Sequence, residues 1–344
     1  MVFVHRCTFA PQPISRALLH ASILIQLPPE TLTKGRTLTN VLFIAGWQRS
    51  GTTLLGDILG SYDKASHIGE LTYLFTPTHP AGGLCGCGVP LVECPLWTDA
   101  LKTSGLVDKS HLANRARLSA SRMRHVPKMT LYWKHRRIRA PYSRFLSDLY
   151  PAIARASQAD IVVDSSKTPG EALAAVTASG VSARILHLVR DPRGCAYSTS
   201  RRAKQHHSGS KRQMRVKSPH ESSVRWLQVN GLIEGIKASL PKERSMTVRY
   251  EDLMKEPRDV IEDIADWAGL ASDASPFTSS STAELVTSHT VMGNPNRFSK
   301  RTVSLELDDE WRREMQLRDA LAATLPAIPL IPRYGYHVLP FSQS

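Results

Sequence analysis

The stretch Val41–Thr53, VLFIAGWQRSGTT, decides the fold of this chain. It opens with Val41–Ala45, a continuous apolar run that is typical of a parallel strand buried on both faces. A turn containing Gly46 and Gly51 follows, and Thr53–Leu59 then has the composition of a helix. A glycine-containing turn between a strand and a helix forms a nest of backbone N–H groups that binds a phosphate. The stretch therefore predicts an α/β fold with an anion site at a strand end.

The turn differs from the P-loop of nucleotide-hydrolysing enzymes at one position. That P-loop continues with Gly-Lys-Ser/Thr, and its Lys reaches the β- and γ-phosphates. Here Thr52 stands in place of the Lys, and the cation lies earlier, at Arg49. A triphosphate would lack its main counter-charge, whereas a 5'-phosphosulfate needs only amides, hydroxyl groups and one cation near its bridging oxygen. The candidate residues of this loop are Arg49, Ser50, Gly51, Thr52 and Thr53.

Three later segments repeat the order of strand, polar turn and helix. The expected strands are Ile161–Val163, Arg184–Val189 and Met246–Arg249, and the helices after them are Gly170–Ala178, Arg193–Lys204 and Val260–Ala268. Further helices are expected at residues 220–240 and at Leu307–Leu325. This order predicts an α/β fold: a P-loop-like, three-layer αβα arrangement around a central parallel sheet.

Residues 76–150 do not follow this order, because a Gly/Pro/Cys-rich loop leads into a basic, mostly helical stretch. We expect them to be an insertion between the first and second core strands that forms a helical cap. One domain, residues 40–340, contains this cap. Residues 1–39 form an N-terminal extension, either a poorly ordered tail or an extra helix, with a targeting segment as the alternative. No run of about 18 apolar residues occurs, so we expect no transmembrane span and a cytoplasmic protein.

A second anion anchor is predicted at Ile185–Ser198, ILHLVRDPRGCAYS. Arg190 follows an apolar strand, and Pro192 suits the first turn of a helix. Ser198 then lies two turns along that helix. An Arg at a strand end and a hydroxyl group on the next helix can bind one anion together.

The two anchors together resemble the family of sulfotransferases that use 3'-phosphoadenosine 5'-phosphosulfate (PAPS). The segment Arg49–Thr53, RSGTT, is similar to the family's 5'-phosphosulfate loop in its tyrosylprotein, carbohydrate and bacterial branches. Arg190 and Ser198 have the spacing of its 3'-phosphate site. The resemblance implies sulfuryl transfer from PAPS to a hydroxyl or amine, with PAPS as the co-substrate and no metal required.

The resemblance also implies further donor contacts. Arg202, one helical turn beyond Ser198, matches a third position of the 3'-phosphate site. Tyr250 lies in VRYEDL, which resembles a cofactor-binding signature of the family. The segment Ser288–Lys300 resembles the loop that covers the cofactor, in which Arg297 or Lys300 would reach the 3'-phosphate.

For catalysis, the resemblance points to Glu70 in HIGELTYLF as the base that accepts the acceptor's proton. His289 is the alternative base. Arg49 would stabilise charge on the bridging oxygen. Lys167, at the end of a predicted strand, matches a family Lys that stabilises the transition state, and Ser288 is a weaker candidate for that role.

The net charge of +14 is concentrated in two stretches, between Asp108 and Asp148 and from Arg193 to Pro219, neither of which contains an acidic residue. Such a field attracts anions. It favours an anionic acceptor, such as an acidic glycan, lipid headgroup or acidic peptide.

Two other functions remain open: a P-loop kinase of small molecules, and a basic nucleic-acid-binding protein that uses residues 109–144. In the latter, Tyr132, Trp133 and Tyr142 would stack on bases, although we expect no nucleic-acid partner.

Three of the five cysteines, Cys85, Cys87 and Cys94, lie close together. A zinc site needs four ligands, and His79 or His111 would complete one. The spacing is not that of a zinc ribbon or finger. We therefore expect a disulfide or packed, reduced thiols here, and no metal.

Overall fold

The computed structural model describes residues 38–74, 83–120, 136–200, 217–270, 275–292 and 302–339. Its centre is a parallel sheet of five strands, in the order β2-β3-β1-β4-β5. The strands are β1 (Thr39–Ala45), β2 (Ala65–Gly69), β3 (Ile161–Lys167), β4 (Val181–Val189) and β5 (Ser245–Arg249). The predicted α/β fold with a central parallel sheet is confirmed.

Helices flank this sheet. They are α1 (Thr52–Leu59), α2 (Pro95–Thr103), α3 (Ser110–Ala120), α4 (Arg136–Ser157), α5 (Pro169–Val176), α6 (Pro192–Ser200), α7 (Pro219–Lys237), α8 (Tyr250–Lys255), α9 (Pro257–Ala268), α10 (Trp311–Glu314) and α11 (Leu317–Ala327). A small antiparallel pair, β6 (Thr282–Glu284) and β7 (Thr302–Ser304), lies apart from the main sheet. No helix in the described ranges is both long and apolar enough to cross a membrane.

The side chains of the central strand β1 are buried on both faces of the sheet. Side chains alternate across a strand, so neighbouring residues enter opposite layers. Val41, Phe43 and Ala45 pack into one hydrophobic core. Leu42 and Ile44 pack into the other. A continuous apolar run is the sequence pattern of a strand that has helices against both faces.

The insertion leaves the sheet after β2 and returns at β3. From the sequence, we placed the insertion between the first and second core strands. The structure has a short strand, β2, before the insertion, which therefore lies between the second and third strands of the chain. Helices α2 and α3 pack against α4. Trp97 and Tyr142 of this region are 0% and 1% exposed and share one hydrophobic core with β1. The described part of the insertion is therefore continuous with the main body of the protein.

The predicted closing helix Leu307–Leu325 is wrong in its first half. Residues before Trp311 are not helical, and Met315 and Gln316 are extended between α10 and α11. The break allows both Trp311 and Met315 to pack against α6. Burial of these two side chains outweighs the local preference for a continuous helix.

Candidate active site

Each of the five parallel strands presents a candidate residue at its carboxyl end. Glu70 follows β2, Lys167 ends β3, Gly46 follows β1, Arg190 follows β4 and Tyr250 follows β5. Because the strands are parallel, these ends lie along one edge of the sheet. Open α/β sheets bind ligands at this edge. The candidates from sequence that fall at strand ends are therefore brought to the same side of the molecule.

The glycine loop between β1 and α1 passes close to its neighbours. A Cβ on Gly46 would lie 2.3 Å from the carbonyl oxygen of Leu188 in β4. Gly51 has φ 92°, which favours glycine, and a Cβ there would lie 3.1 Å from the Tyr250 ring. Arg49 also has a left-handed φ, 69°. The loop therefore needs both glycines, and its turns resemble those of backbone anion nests.

The first anchor and the second anchor are in direct contact. The Arg49 side chain donates to the Ser198 hydroxyl oxygen through Nε, at 2.8 Å. Arg190 donates to the Arg49 carbonyl oxygen at 3.0 Å. Its Nη2 lies 3.1 Å from a carboxylate oxygen of Asp308, and its guanidinium stacks on the Tyr250 ring, 4.4 Å from the centroid. A single nucleotide that binds both anchors is compatible with these distances.

This contact brings two guanidinium groups together where they are partly shielded from solvent. Arg190 is 5% exposed. Burial, and secondarily the charge of Arg190, lowers the pKa of Arg49. Asp308, which neutralises Arg190, has a side chain that is 44% exposed. Two like charges, one buried and one half-buried, are stabilised by an anion that accepts from both, which makes this pair a fitting site for a phosphate or sulfate group.

The hydroxyl groups of the loop differ in their surroundings. Ser50 is fully buried, and its Oγ lies 3.7 Å from the Cys195 sulfur. Its side chain thus packs against α6, and the backbone amide is the part of Ser50 that remains suited to the nest. Thr52 is buried and Thr53 is half-buried at the start of α1. The first amides of α1 have no partner within the helix, so they are available to an anion.

Glu70 and Lys167 form an ion pair at the ends of β2 and β3. The Lys167 Nζ donates to a Glu70 carboxylate oxygen at 2.6 Å. Their side chains are 16% and 15% exposed, so the pair is accessible to a small group. Lys167 has a φ of 73°, and its carbonyl oxygen accepts from the Gly46 amide at 3.3 Å. The backbone of Lys167 therefore ties the ion pair to the start of the glycine loop.

The segment 288–292 crosses the end of β2 beside Glu70. The Glu70 amide donates to the Met292 carbonyl oxygen at 3.3 Å, and the Val291 amide donates to the Ile68 carbonyl oxygen at 3.0 Å. Ser288 lies before this contact, where its carbonyl oxygen would be 2.4 Å from a Cβ on Gly86. Its backbone thus faces the cysteine loop, and no described contact joins its hydroxyl group to Glu70.

His289, the alternative base, lies among the cysteines. Its Nδ1 is 3.2 Å from the Cys94 sulfur and 3.7 Å from the Cys85 sulfur. The Cys87 and Cys94 sulfurs are 3.8 Å apart, so they are not joined by a disulfide. Sequence reasoning considered His79 and His111 as the fourth group, but His79 and the side chain of His111 lie outside what the structure describes. The partner of the cysteines in the described residues is His289.

Two residues that make contacts at the site, Asp308 and Lys217, were not predicted from the sequence. Asp308 accepts from Arg190 and donates its amide to the Tyr250 hydroxyl oxygen at 3.2 Å. Lys217 donates to the Gln48 side chain at 2.9 Å and lies over the Trp47 ring. The only sequence signal for Lys217 was its place in an acid-free stretch, and Asp308 had none. The predicted donor contacts Arg202, Arg297 and Lys300 lie outside the described residues.

The basic stretch in the insertion is partly internal. Arg117 is 8% exposed and donates to the Thr72 hydroxyl oxygen at 2.9 Å. Its Nη1 also lies 3.8 Å from a carboxylate oxygen of Glu171. Tyr142 is buried and so cannot stack on a base, while Tyr132 and Trp133 lie outside the described ranges. Arg117 and Tyr142 therefore serve packing, which weakens the hypothesis of nucleic-acid binding.

Residues 42–274 match the sequence profile of a family described as the sulfotransferase family. That range covers more than half of the chain. It includes the glycine loop, Glu70, Lys167, Arg190, Ser198 and Tyr250. Comparison with curated proteins finds no match.

Solved structures of two sulfotransferase domains are similar to the chain. One is from the curacin biosynthetic pathway, with 18% identity, a TM-score of 0.50, and coverage of 87% of this chain and 99% of that one. The other is from the olefin synthase of Synechococcus PCC 7002, with 21% identity, a TM-score of 0.49, and coverage of 88% and 96%. At such identities, the likeness to the curacin domain bears on the fold alone.

Proposed function

Since the chain belongs to the sulfotransferase family, we propose that its donor is PAPS and that Glu70 is its catalytic base. The reaction is the transfer of a sulfuryl group from a sulfonate donor to an acceptor. The observation that carries the choice of donor is the contact between the two anchors. Arg49 joins the glycine loop to Ser198 at 2.8 Å, and Arg190 joins the same loop at 3.0 Å.

The donor is held at both of its phosphate ends in this proposal. The amides of the glycine loop and the first turn of α1 bind the 5'-phosphosulfate. Arg190 and Ser198 bind the 3'-phosphate, together with the predicted contacts of Arg202 and of Arg297 or Lys300. Tyr250 lines the space between the ends, because its ring packs on Arg190 and lies next to Gly51. ATP lacks a 3'-phosphate and would leave the second anchor unused.

The chemical step needs a proton acceptor and stabilisation of the leaving group. The acceptor hydroxyl or amine gives its proton to Glu70 while its oxygen or nitrogen forms a bond to sulfur. The bond between sulfur and the bridging oxygen breaks, and adenosine 3',5'-bisphosphate leaves. Lys167 and Arg49 stabilise the charge that develops on that oxygen. Lys167 pairs with the carboxylate form of Glu70 at 2.6 Å, and this is the form that accepts a proton.

We propose that the insertion, residues 76–150, is the cap that binds the acceptor. It connects β2 to β3, and these are the strands that carry Glu70 and Lys167. Its many basic residues favour an anionic acceptor. A panel of acidic glycans, acidic peptides and anionic lipids, with labelled donor, tests this directly. A neutral hydrophobic acceptor that is sulfated faster than all of them would contradict it.

The donor assignment is tested by isothermal titration of two ligands that differ only in the 3'-phosphate. Wild-type protein should bind adenosine 3',5'-bisphosphate more tightly than adenosine 5'-monophosphate. Arg190→Ala should weaken binding of the bisphosphate by about 10- to 100-fold, the usual effect of losing hydrogen bonds to a charged group. Binding of the monophosphate should fall much less, because Arg190 contacts the glycine loop only through the Arg49 carbonyl oxygen, and circular dichroism of the variant controls for folding. Equal losses for both ligands, or a preference for Mg²⁺–ATP, would reject the assignment and favour a kinase.

A further inference from the structure

The cysteine cluster, Cys85, Cys87, Cys94 and His289, brings four soft ligand atoms together outside the proposed active site. The three sulfurs and one imidazole nitrogen all lie within 4.8 Å of one another. The distances given by the structure are 3.8 Å from Cys87 to Cys94, 3.2 Å from Cys94 to His289, and 3.7 Å from Cys85 to His289. In a tetrahedral zinc site with Zn–S and Zn–N bonds of usual length, ligand atoms lie about 3.5–3.8 Å apart. The cluster therefore has the size of a metal site.

A tight turn places the first two cysteines. The Cys85 amide donates to the Val89 carbonyl oxygen at 2.7 Å, and the Gly88 amide donates to the Cys85 carbonyl oxygen at 2.8 Å. Gly88 has φ 90°, a conformation that favours glycine. Leu84 and Pro90 form an antiparallel bridge that closes the turn. Cys85 and Cys87 are thus on a short, well-defined loop.

The third cysteine and the histidine come from elements that are fixed independently. Cys94 is the residue before α2 and is fully buried. Trp97 of α2, also fully buried, donates its indole N–H to the His289 carbonyl oxygen at 2.8 Å. The Gly86 amide donates to the Thr290 carbonyl oxygen at 3.0 Å. These backbone contacts hold His289 against the loop without help from its imidazole.

We propose that Cys85, Cys87, Cys94 and the Nδ1 of His289 bind one structural Zn²⁺ ion. Thiolate and imidazole ligands in a tetrahedral set select zinc over Mg²⁺ or Ca²⁺. Binding displaces the protons of the three thiols, and the neutral imidazole donates a lone pair. All four positions are filled by the protein, so the ion has no open position for a substrate and does not take part in sulfuryl transfer. The spacing Cys-x-Cys alone did not predict this site, because its fourth ligand lies about 200 residues away.

The ion would fasten the insertion to the segment that follows His289. Met292, three residues further along, accepts the hydrogen bond from the Glu70 amide. Gly69 leaves room for this segment, since a Cβ there would lie 2.5 Å from the Met292 carbonyl oxygen. The zinc site thus holds the first loop of the insertion and the backbone beside Glu70 in one arrangement. This role goes beyond the proposed reaction and does not depend on which donor or acceptor is used.

The test is the metal content of the full chain, purified without a polyhistidine tag and under reducing conditions. Elemental analysis of the purified protein by plasma mass spectrometry should find about one zinc ion per chain. A mercurial reagent that modifies thiols should release this zinc. Co²⁺ exchanged into the site should give the strong visible bands of a tetrahedral thiolate complex. Protein that is reduced, supplied with Zn²⁺ and then dialysed, yet holds no zinc, would overturn the proposal.

Matched substitutions separate the site from other thiols and histidines. His289→Asn and Cys94→Ser should each weaken zinc affinity, measured by competition with a chelator, by more than about tenfold, since loss of even an outer partner of a metal ligand costs about 10- to 100-fold. The exposed His220 and the buried Cys195 supply the controls, and His220→Asn and Cys195→Ser should keep the full content. His289→Cys preserves a four-ligand set and should retain zinc even where His289→Asn fails to fold. Equal zinc in His289→Asn and His220→Asn would also reject the site.

Discussion

Arg49 and Lys167 both adopt a left-handed backbone conformation, with φ of 69° and 73°. Residues with a Cβ avoid this region, at a cost of about 1 kcal/mol or more. In each case the carbonyl oxygen accepts a hydrogen bond that connects the site: Arg190 donates to Arg49, and Gly46 donates to Lys167. The strained backbone therefore orients two cationic residues at neighbouring strand ends.

Replacing Glu70 tests the proposed base. Glu70→Gln keeps the size of the side chain but removes the group that accepts a proton. We expect kcat to fall by about 10²- to 10⁴-fold, the usual contribution of a general base. Affinity for adenosine 3',5'-bisphosphate should not change. The measurement is release of this product from PAPS in the presence of an acceptor.

A matched control is the exposed Glu243, which lies before β5. Glu243→Gln should leave kcat at the wild-type value. If Glu70→Gln retained wild-type kcat as well, Glu70 would not be the base.

Replacing Asp308 should strengthen nucleotide binding rather than weaken it. Its carboxylate lies 3.1 Å from Arg190 and competes with any phosphate that binds there. Asp308→Asn removes this charge but keeps the backbone contacts that Asp308 makes with Arg190 and Tyr250. Because the side chain is partly exposed, we expect a modest gain, about two- to fivefold, in affinity for adenosine 3',5'-bisphosphate. Titration calorimetry measures it, and a loss of affinity would show that Asp308 contributes to binding.

At the scale of the elements, the sequence predicted four of the five strands of the main sheet, including the edge strand β5. β1 and β4 lie inside the sheet, and their apolar runs marked them in the sequence. β2 is an edge strand with the polar residues Ser66 and His67, so its extent could not be read from hydropathy. The break between α10 and α11 was missed because it depends on Trp311 and Met315 packing on α6.

The turn after β1 gives a test at this scale. Gly46→Ala would place a methyl group 2.3 Å from the carbonyl oxygen of Leu188, and neither backbone can move without disturbing the sheet. We expect a loss of about 2 kcal/mol in the free energy of unfolding, together with weaker binding of both adenosine ligands. Urea denaturation and titration calorimetry are the measurements.

Gly235→Ala is the control for this substitution. Gly235 lies within α7, and a Cβ there meets nothing within 4 Å. Because Ala is the better helix former, this variant should be more stable than wild type, by about 0.5–1 kcal/mol. A Gly46→Ala variant as stable as wild type would contradict the close approach of the glycine loop to β4.

At the scale of the whole molecule, local sequence predicts what each strand end carries but not which distant residues meet there. That the loop of Arg49 and the helix of Ser198, 149 residues apart, contribute to one site was anticipated only through resemblance to a family, and their direct hydrogen bond was not predicted. Neither the local sequence nor the family resemblance predicted the pairing of Arg190 with Asp308 or of Cys94 with His289. They arise from the path of the chain after α9, and no periodicity or spacing records that path.

Stability should depend on pH through a buried carboxyl group. Burial raises the pKa of Glu171 to about 7 from 4.5, even though Thr72, Thr168 and Arg117 oppose the shift. Between these values the folded chain holds a proton that the unfolded chain releases, so stability falls as pH rises from about 4.5 to about 7. The loss is at most about 3 kcal/mol, at about 1.4 kcal/mol per pKa unit.

Glu171→Gln removes this titration and keeps an oxygen that can accept from Thr168. Urea denaturation of both proteins at pH 5 and pH 8 should show a steeper decline for wild type than for the variant. Identical pH profiles would mean that Glu171 titrates normally in the folded protein.

The connection of the insertion to β2 and β3 has an evolutionary consequence. The glycine loop, Arg190 and Tyr250 belong to β1, β4 and β5, whereas the insertion departs and returns on the other side of the sheet. On the assignment proposed above, recognition of the donor and choice of the acceptor would be encoded in separable portions of the gene. Exchange of one such portion between relatives would redirect the enzyme to new molecules while the machinery for its sulfur donor is inherited intact.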